Sequence, residues 1–172
     1  MTVSYAEYDS SMTFAARCLI LACGNTLRED DGVGPFLASW AEGRWRDDPR
    51  VRVMHDFQWT PEMAEEVAGS ETVVFVDSSL EQEPGQILVR ELSAASLKPG
   101  LVTHHLGAAE LLSVARDLYG IQPRRACLMT IGAGSIELGE QLSPAVQDAM
   151  AAAKDLLELT VGQLLDSSNQ RA

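Results

Sequence analysis

Residues 19–34 read Leu-Ile-Leu-Ala-Cys-Gly-Asn-Thr-Leu-Arg-Glu-Asp-Asp-Gly-Val-Gly. No other part of the chain narrows the possible folds as much. An uninterrupted apolar run stops at Gly24-Asn25, three acids follow, and a glycine-spaced helix start comes next. A short apolar run bounded by glycine predicts a strand buried on both faces, the kind found inside a parallel sheet. Three consecutive carboxylates cannot join a core. Placed after a strand and before a helix, they stand where open α/β sheets carry their sites, outside the carboxyl ends of the strands.

The rest of the chain repeats the alternation. Strands are predicted over 18–22, 51–54, 72–76, 86–92 and 126–131, and helices over 32–46, 61–68, 104–119 and 144–165. In the first helix Val33, Phe36, Leu37, Trp40 and Ala41 recur at spacings of three and four. Pro35 falls in its first turn, where the missing N–H costs little. Residues 86–92 alternate and follow Pro84-Gly85, which suits an antiparallel edge strand. Thr103 is placed to cap the third helix, Gly120 to stop it, and Ser143 to cap the last. Strands alternating with helices predict a three-layer αβα sandwich on a mostly parallel, twisted sheet of about five strands. The expected organisation is a polar tail over 1–14, one α/β domain over 15–166 and a frayed end over 167–172.

Composition narrows the function. With 172 residues and 46% apolar content, the chain can bury one full core. Its formal charge of −12 repels phosphate backbones and anionic membranes, so neither nucleic acid nor membrane insertion is expected. It suits a metal or a basic peptide as ligand. Cys18, Cys23 and Cys127 have no CxxC spacing and predict free thiols in a reducing cytoplasm. With no long amphipathic seam to spare, a monomer is expected.

Three places can carry chemistry. Asp31 lies closest to the Gly32-Val33-Gly34 helix entry. Acids at a helix start are favoured by the helix dipole, which accounts for one acid but not three. Asp77 directly follows Val73-Val74-Phe75-Val76, a position that suits a cap, a turn residue or a site residue. His104 precedes a helix, whose N-terminal field disfavours the imidazolium and keeps the ring ready to bind. Two carboxylates and an imidazole suit a borderline divalent ion such as nickel or zinc, with coordination positions left open. Other chemistries fit less well. There is no GxSxG elbow, Cys23 has no assignable base, and Gly24, Gly32 and Gly34 do not fit a dinucleotide fingerprint.

Taken together, Gly24-Asn25-x-Leu27-x-x-Asp30-Asp31-Gly32-x-Gly34, an Asp closing the third strand, and His-x-Leu-Gly at 104–107 resemble the hydrogenase maturation proteases. The resemblance spans about residues 18–165. It implies an endopeptidase that removes a C-terminal extension from the large-subunit precursor of a nickel–iron hydrogenase after nickel insertion. It also implies that Asp31, Asp77 and His104 contact nickel carried by the substrate, with Asp31 and Asp77 as the catalytic carboxylates. Gly24, Asn25, Asp30, Gly32, Gly34 and Gly107 would support them, and Glu29 would be a solvated bystander. Gly132 and Ala133 resemble a small-residue loop that leaves room for a peptide. His105 is a rival ligand to His104, and 58–62 would help select the partner. Acid-only hydrolysis by Asp31 and Asp77 is a second mechanism. A nickel-dependent checkpoint or chaperone without peptidase activity is the alternative function, and a purely structural α/β domain a third.

Overall fold

The computed structural model describes residues 14–92 and 106–169. Five strands form one sheet: β1 (Ala16–Cys23), β2 (Val51–Asp56), β3 (Ser70–Ser79), β4 (Ile87–Leu92) and β5 (Arg125–Gly132). Their order is β2-β1-β3-β5-β4, parallel except for the β4–β5 pair. The expected antiparallel edge strand is β4, and it alternates as an edge strand should. The helices are α1 (Val33–Arg44), α2 (Ala64–Ala68), α3 (Ala108–Tyr119) and α4 (Pro144–Asn169).

Two apolar clusters, one on each face, hold the layers together. Ile20, Val74, Val76 and Met129 pack against α1 and α4 through Leu37, Ala41, Leu157 and Val161. Leu19, Leu21, Phe75 and Leu128 pack against α2 and α3 through Val67, Leu111 and Ala115. The central strands β1 and β3 feed both clusters, which explains their unbroken apolar runs. No described helix is long and apolar enough to cross a membrane.

The structure corrects several boundaries. β3 runs to Ser79, because its pairing with β5 continues through Ser79 opposite Gly132; Asp77 therefore lies inside the strand rather than after it. α3 starts at Ala108 with Gly107 in extended geometry before it, four residues later than expected. The expected Thr103 cap, His104 and His105 lie outside the described residues. Residues 61–68 divide into a 3-10 turn and a single-turn helix. α4 continues beyond Leu165 to Asn169, and Leu164 and Leu165 still bury apolar surface.

Candidate active site

The strand order places the site. From β1 the chain crosses to β2 on one side, and β3 lies on the other, so the topology reverses between the carboxyl ends of β1 and β3. A crevice forms at such a point. Cys23 ends β1 beside it, and Asp77 sits one register step beyond the Ala22–Val76 pair.

The loop after β1 is built to deliver Asp31. Gly24 adopts φ 139°, and a Cβ there would stand 1.9 Å from the Asp31 carbonyl oxygen. Asn25 accepts the Leu27 amide on its side chain at 2.9 Å, and its own N–H donates to Asp31 Oδ2 at 2.8 Å. A 3-10 turn over Glu29–Gly32 then leads into α1. At Gly34 a Cβ would meet the Cys23 carbonyl oxygen at 2.1 Å, so the first turn of α1 rests directly on the end of β1. The spaced glycines thus serve close backbone packing. Gly34→Ala should destabilise the fold by about 1–3 kcal/mol, read as a lower denaturant midpoint with an unchanged slope.

The two carboxylates meet through Ser78, whose hydroxyl donates to Asp31 Oδ1 at 3.0 Å while its amide donates to Asp77 Oδ1 at 2.8 Å. Burial pushes the Asp77 carboxyl up; the Cys23 thiol and Ser78 amide draw it back, the Asp31 charge adds to the rise, and the result is about 6. Asp77 therefore holds a proton more readily than an ordinary carboxyl group. Burial, followed by the Asp77 and Asp31 charges, drives the Cys23 thiol far above its usual range. It stays protonated, which removes the cysteine-nucleophile alternative.

Asp30 faces away from this pair. Fully buried, it accepts the Gly134 and Ser135 amides on Oδ2 at 2.7 and 3.2 Å, and the Ser143 amide on Oδ1 at 2.6 Å. Burial alone would raise its carboxyl; the backbone donors outweigh that and hold it below the usual range. Asp30 ties the β1–α1 loop to the chain between β5 and α4. Glu29 is half-buried rather than solvated. Its φ is 42° and its side chain lies over Gly139.

Two further expectations change. A Cβ on Gly132 would stand 1.9 Å from the Glu83 carbonyl oxygen, so the space at this glycine is filled by the β3–β4 connection and offers none to a peptide. Trp59 is buried edge-on against Phe75 at 5.2 Å between ring centres; it anchors the loop after β2 rather than facing a partner. Ser78 is the residue that sequence reasoning missed, since a serine after a strand carboxylate looks like an ordinary turn residue.

Among the described residues no three His, Cys, Asp or Glu side chains are grouped to hold a metal. Among the described residues Asp31 and Asp77 supply two hard oxygen donors able to contact a cation. Asp77, Cys23 and Phe75 belong to the α3 side of the sheet, and Leu106, leading into α3, packs there too.

No protein-family model and no curated protein matches the sequence. Solved structures do. The chain is similar to the hydrogenase 2 maturation peptidase from a Thaumarchaeota archaeon at 29% identity and TM-score 0.63, covering 85% of this chain and 98% of that one. It is similar to the NiFe hydrogenase maturation protease HybD from Thermococcus kodakarensis at 25% identity and TM-score 0.66, covering 84% and 98%. The hydrogenase maturating endopeptidase HybD from E. coli shares the fold at 22% identity and TM-score 0.71, covering 86% and 93%. The chain therefore shares its α/β fold with these hydrogenase maturation proteases through nearly the whole length of each.

Proposed function

We propose that the chain is an endopeptidase that removes the C-terminal extension of a nickel–iron hydrogenase large-subunit precursor once nickel has been inserted. The observation that carries this reading is the carboxylate pair at the β1/β3 crevice, with Asp77 held up to about 6 beside Asp31. Asp31, Asp77 and His104 contact nickel that the substrate brings with it, and so read whether the precursor is loaded.

The chain's own groups then divide the work. Asp31, fixed by the Asn25 amide and Ser78 hydroxyl, keeps its orientation as the substrate docks. Asp77, with its raised carboxyl, gives its proton to the leaving amine as the C–N bond breaks, while Asp31 takes a proton from the water that forms the new C–O bond. The three free thiols support a cytoplasmic setting, and we take the working form to be a monomer. The test is a processing assay with nickel-loaded and nickel-free precursor, read by mass. Only the loaded precursor should be shortened. Equal cleavage of both would refute nickel reading, and a stable complex with no shortened chain would make this protein a checkpoint rather than a peptidase.

A further inference from the structure

Five of the nine large exposed apolar side chains among the described residues gather at one end. Leu27 follows β1, Phe36 lies in the first turn of α1, Phe57 follows β2, Leu80 follows β3 and Leu138 follows β5. All stand at the carboxyl ends of the parallel strands, around Asp31 and Asp77. Phe57 is 68% exposed and Leu138 82%, values that leave most of each ring or side chain in water. Leu27 and Leu138 are joined across the rim, where the Gly139 amide donates to the Leu27 carbonyl. Apolar surface concentrated in this way marks an interaction face.

Charge is sorted along the same axis. The loops over 24–32, 56–63, 79–86 and 133–143 carry Glu29, Asp31, Asp56, Glu62, Glu81 and Glu137 among their acids. Arg28 is their one basic residue, and its guanidinium donates to the Ile136 carbonyl. At the opposite end cations stand paired with acids, Arg17 with Glu71, Arg44 with Glu158, Arg50 with Asp48 and Arg125 with Glu91. Arg17, Arg50 and Arg125 stand at the starts of β1, β2 and β5, and Arg44 at the end of α1. The acids of the rim make no such ion pair among the described residues, so uncompensated negative charge coincides with the apolar rim. Such a field draws in a positively charged partner and turns it site-first.

Within the rim is a pocket of about 280 Å³ lined by Gly24, Thr26, Pro35, His55, Asp56 and Phe57. Its walls are apolar at Pro35 and Phe57, and the exposed Asp56 spends Oδ1 on the Phe57 amide at 2.7 Å, leaving Oδ2 to pair. A long aliphatic stem with a cationic head matches both features. Gly24 forms part of this pocket and also packs on the Asp31 carbonyl, so an occupant lies one residue from the carboxylate pair.

We propose that this end of the molecule docks a polypeptide segment rich in basic and apolar residues, with one Lys or Arg side chain seated between Phe57 and Asp56. That the segment belongs to the hydrogenase precursor rests on the peptidase reading; the chemistry of the face does not. The probe is an eight-residue peptide alternating Arg and Leu, with blocked ends, titrated into the full chain at low salt and followed by amide NMR shifts. Alternating Glu and Leu, and alternating Ser and Leu, serve as controls. The Arg peptide should perturb Thr26, Phe36 and Phe57 and leave Leu118 unmoved. Asp56→Asn with Phe57→Ser should weaken it about tenfold without changing Tm. Equal binding of the Glu peptide, no binding of the Arg peptide, or an unaltered affinity in the double variant overturns the docking face. So does light scattering that shows a dimer dissociated by Phe57→Ser, because the face would then hold a second copy. Peptide binding without any processing of precursor leaves the face intact and removes the peptidase reading instead.

Discussion

Asp30→Ala is expected to lower stability by about 3–5 kcal/mol, the largest loss from any single side chain near the site. The carboxylate is fully buried and accepts three backbone amides, those of Gly134, Ser135 and Ser143. Alanine removes the acceptor of all three donors and leaves a cavity where the carboxylate was fully buried. Asp30→Asn should cost less, since its carbonyl oxygen still accepts while its NH2 meets donors. The carboxyl lies below its ordinary value in the fold, so its contribution is complete above the unfolded value near 4 and disappears as pH falls through the folded one. Urea titrations from pH 7 into acid check this: the gap between wild type and Asp30→Ala should narrow as pH falls through the folded value. A constant difference across that range would mean that the amides are satisfied in another way.

Asp30 also shows where sequence reading stops. It was legible as part of a motif, because the glycines and acids around it are unusual together, but its partners lie more than 100 residues away and include two backbone amides in a loop. Nothing about Gly134 or Ser143 as letters announces that their N–H groups point at a carboxylate. The sheet was more accessible. The runs at 18–22 and 72–76 are apolar on both faces, which only a central strand of a covered parallel sheet requires. Gly132 was misread for the opposite reason. A glycine after a strand signals close approach, and the identity of what approaches, here the Glu83 carbonyl, depends on a return loop whose path has no local code. Asp31 and Asp77 are legible as candidates because each lies near the carboxyl end of an apolar strand run; Ser78, which joins them, is not, because its role exists only once β1 and β3 are neighbours.

The Asp77 carboxylate has opposite effects on stability and on the proposed activity, and Asp77→Asn should separate them. In the fold the group titrates near 6, against about 4 in an unfolded chain. The folded state therefore binds the proton more tightly, and stability falls as pH rises from about 4 to 6. The loss amounts to roughly 2–3 kcal/mol at most, because two pKa units correspond to about that much. Asparagine keeps an acceptor for the Ser78 amide and carries no charge beside Asp31, so at pH 7 it should be about 1–3 kcal/mol more stable than wild type. At pH 4 the wild-type carboxyl is itself protonated and the advantage should vanish. Processing of loaded precursor should meanwhile fall by about a hundredfold or more, since the amide cannot deliver a proton. Thermal melts of both proteins from pH 4 to pH 7, set beside single-turnover cleavage, test the two halves separately. Full processing by Asp77→Asn would take the proton-donor role from this residue. A stability gap that stays flat with pH would mean that burial of a charge at the β3 end does not strain the fold, and that the carboxylate is already compensated where it sits.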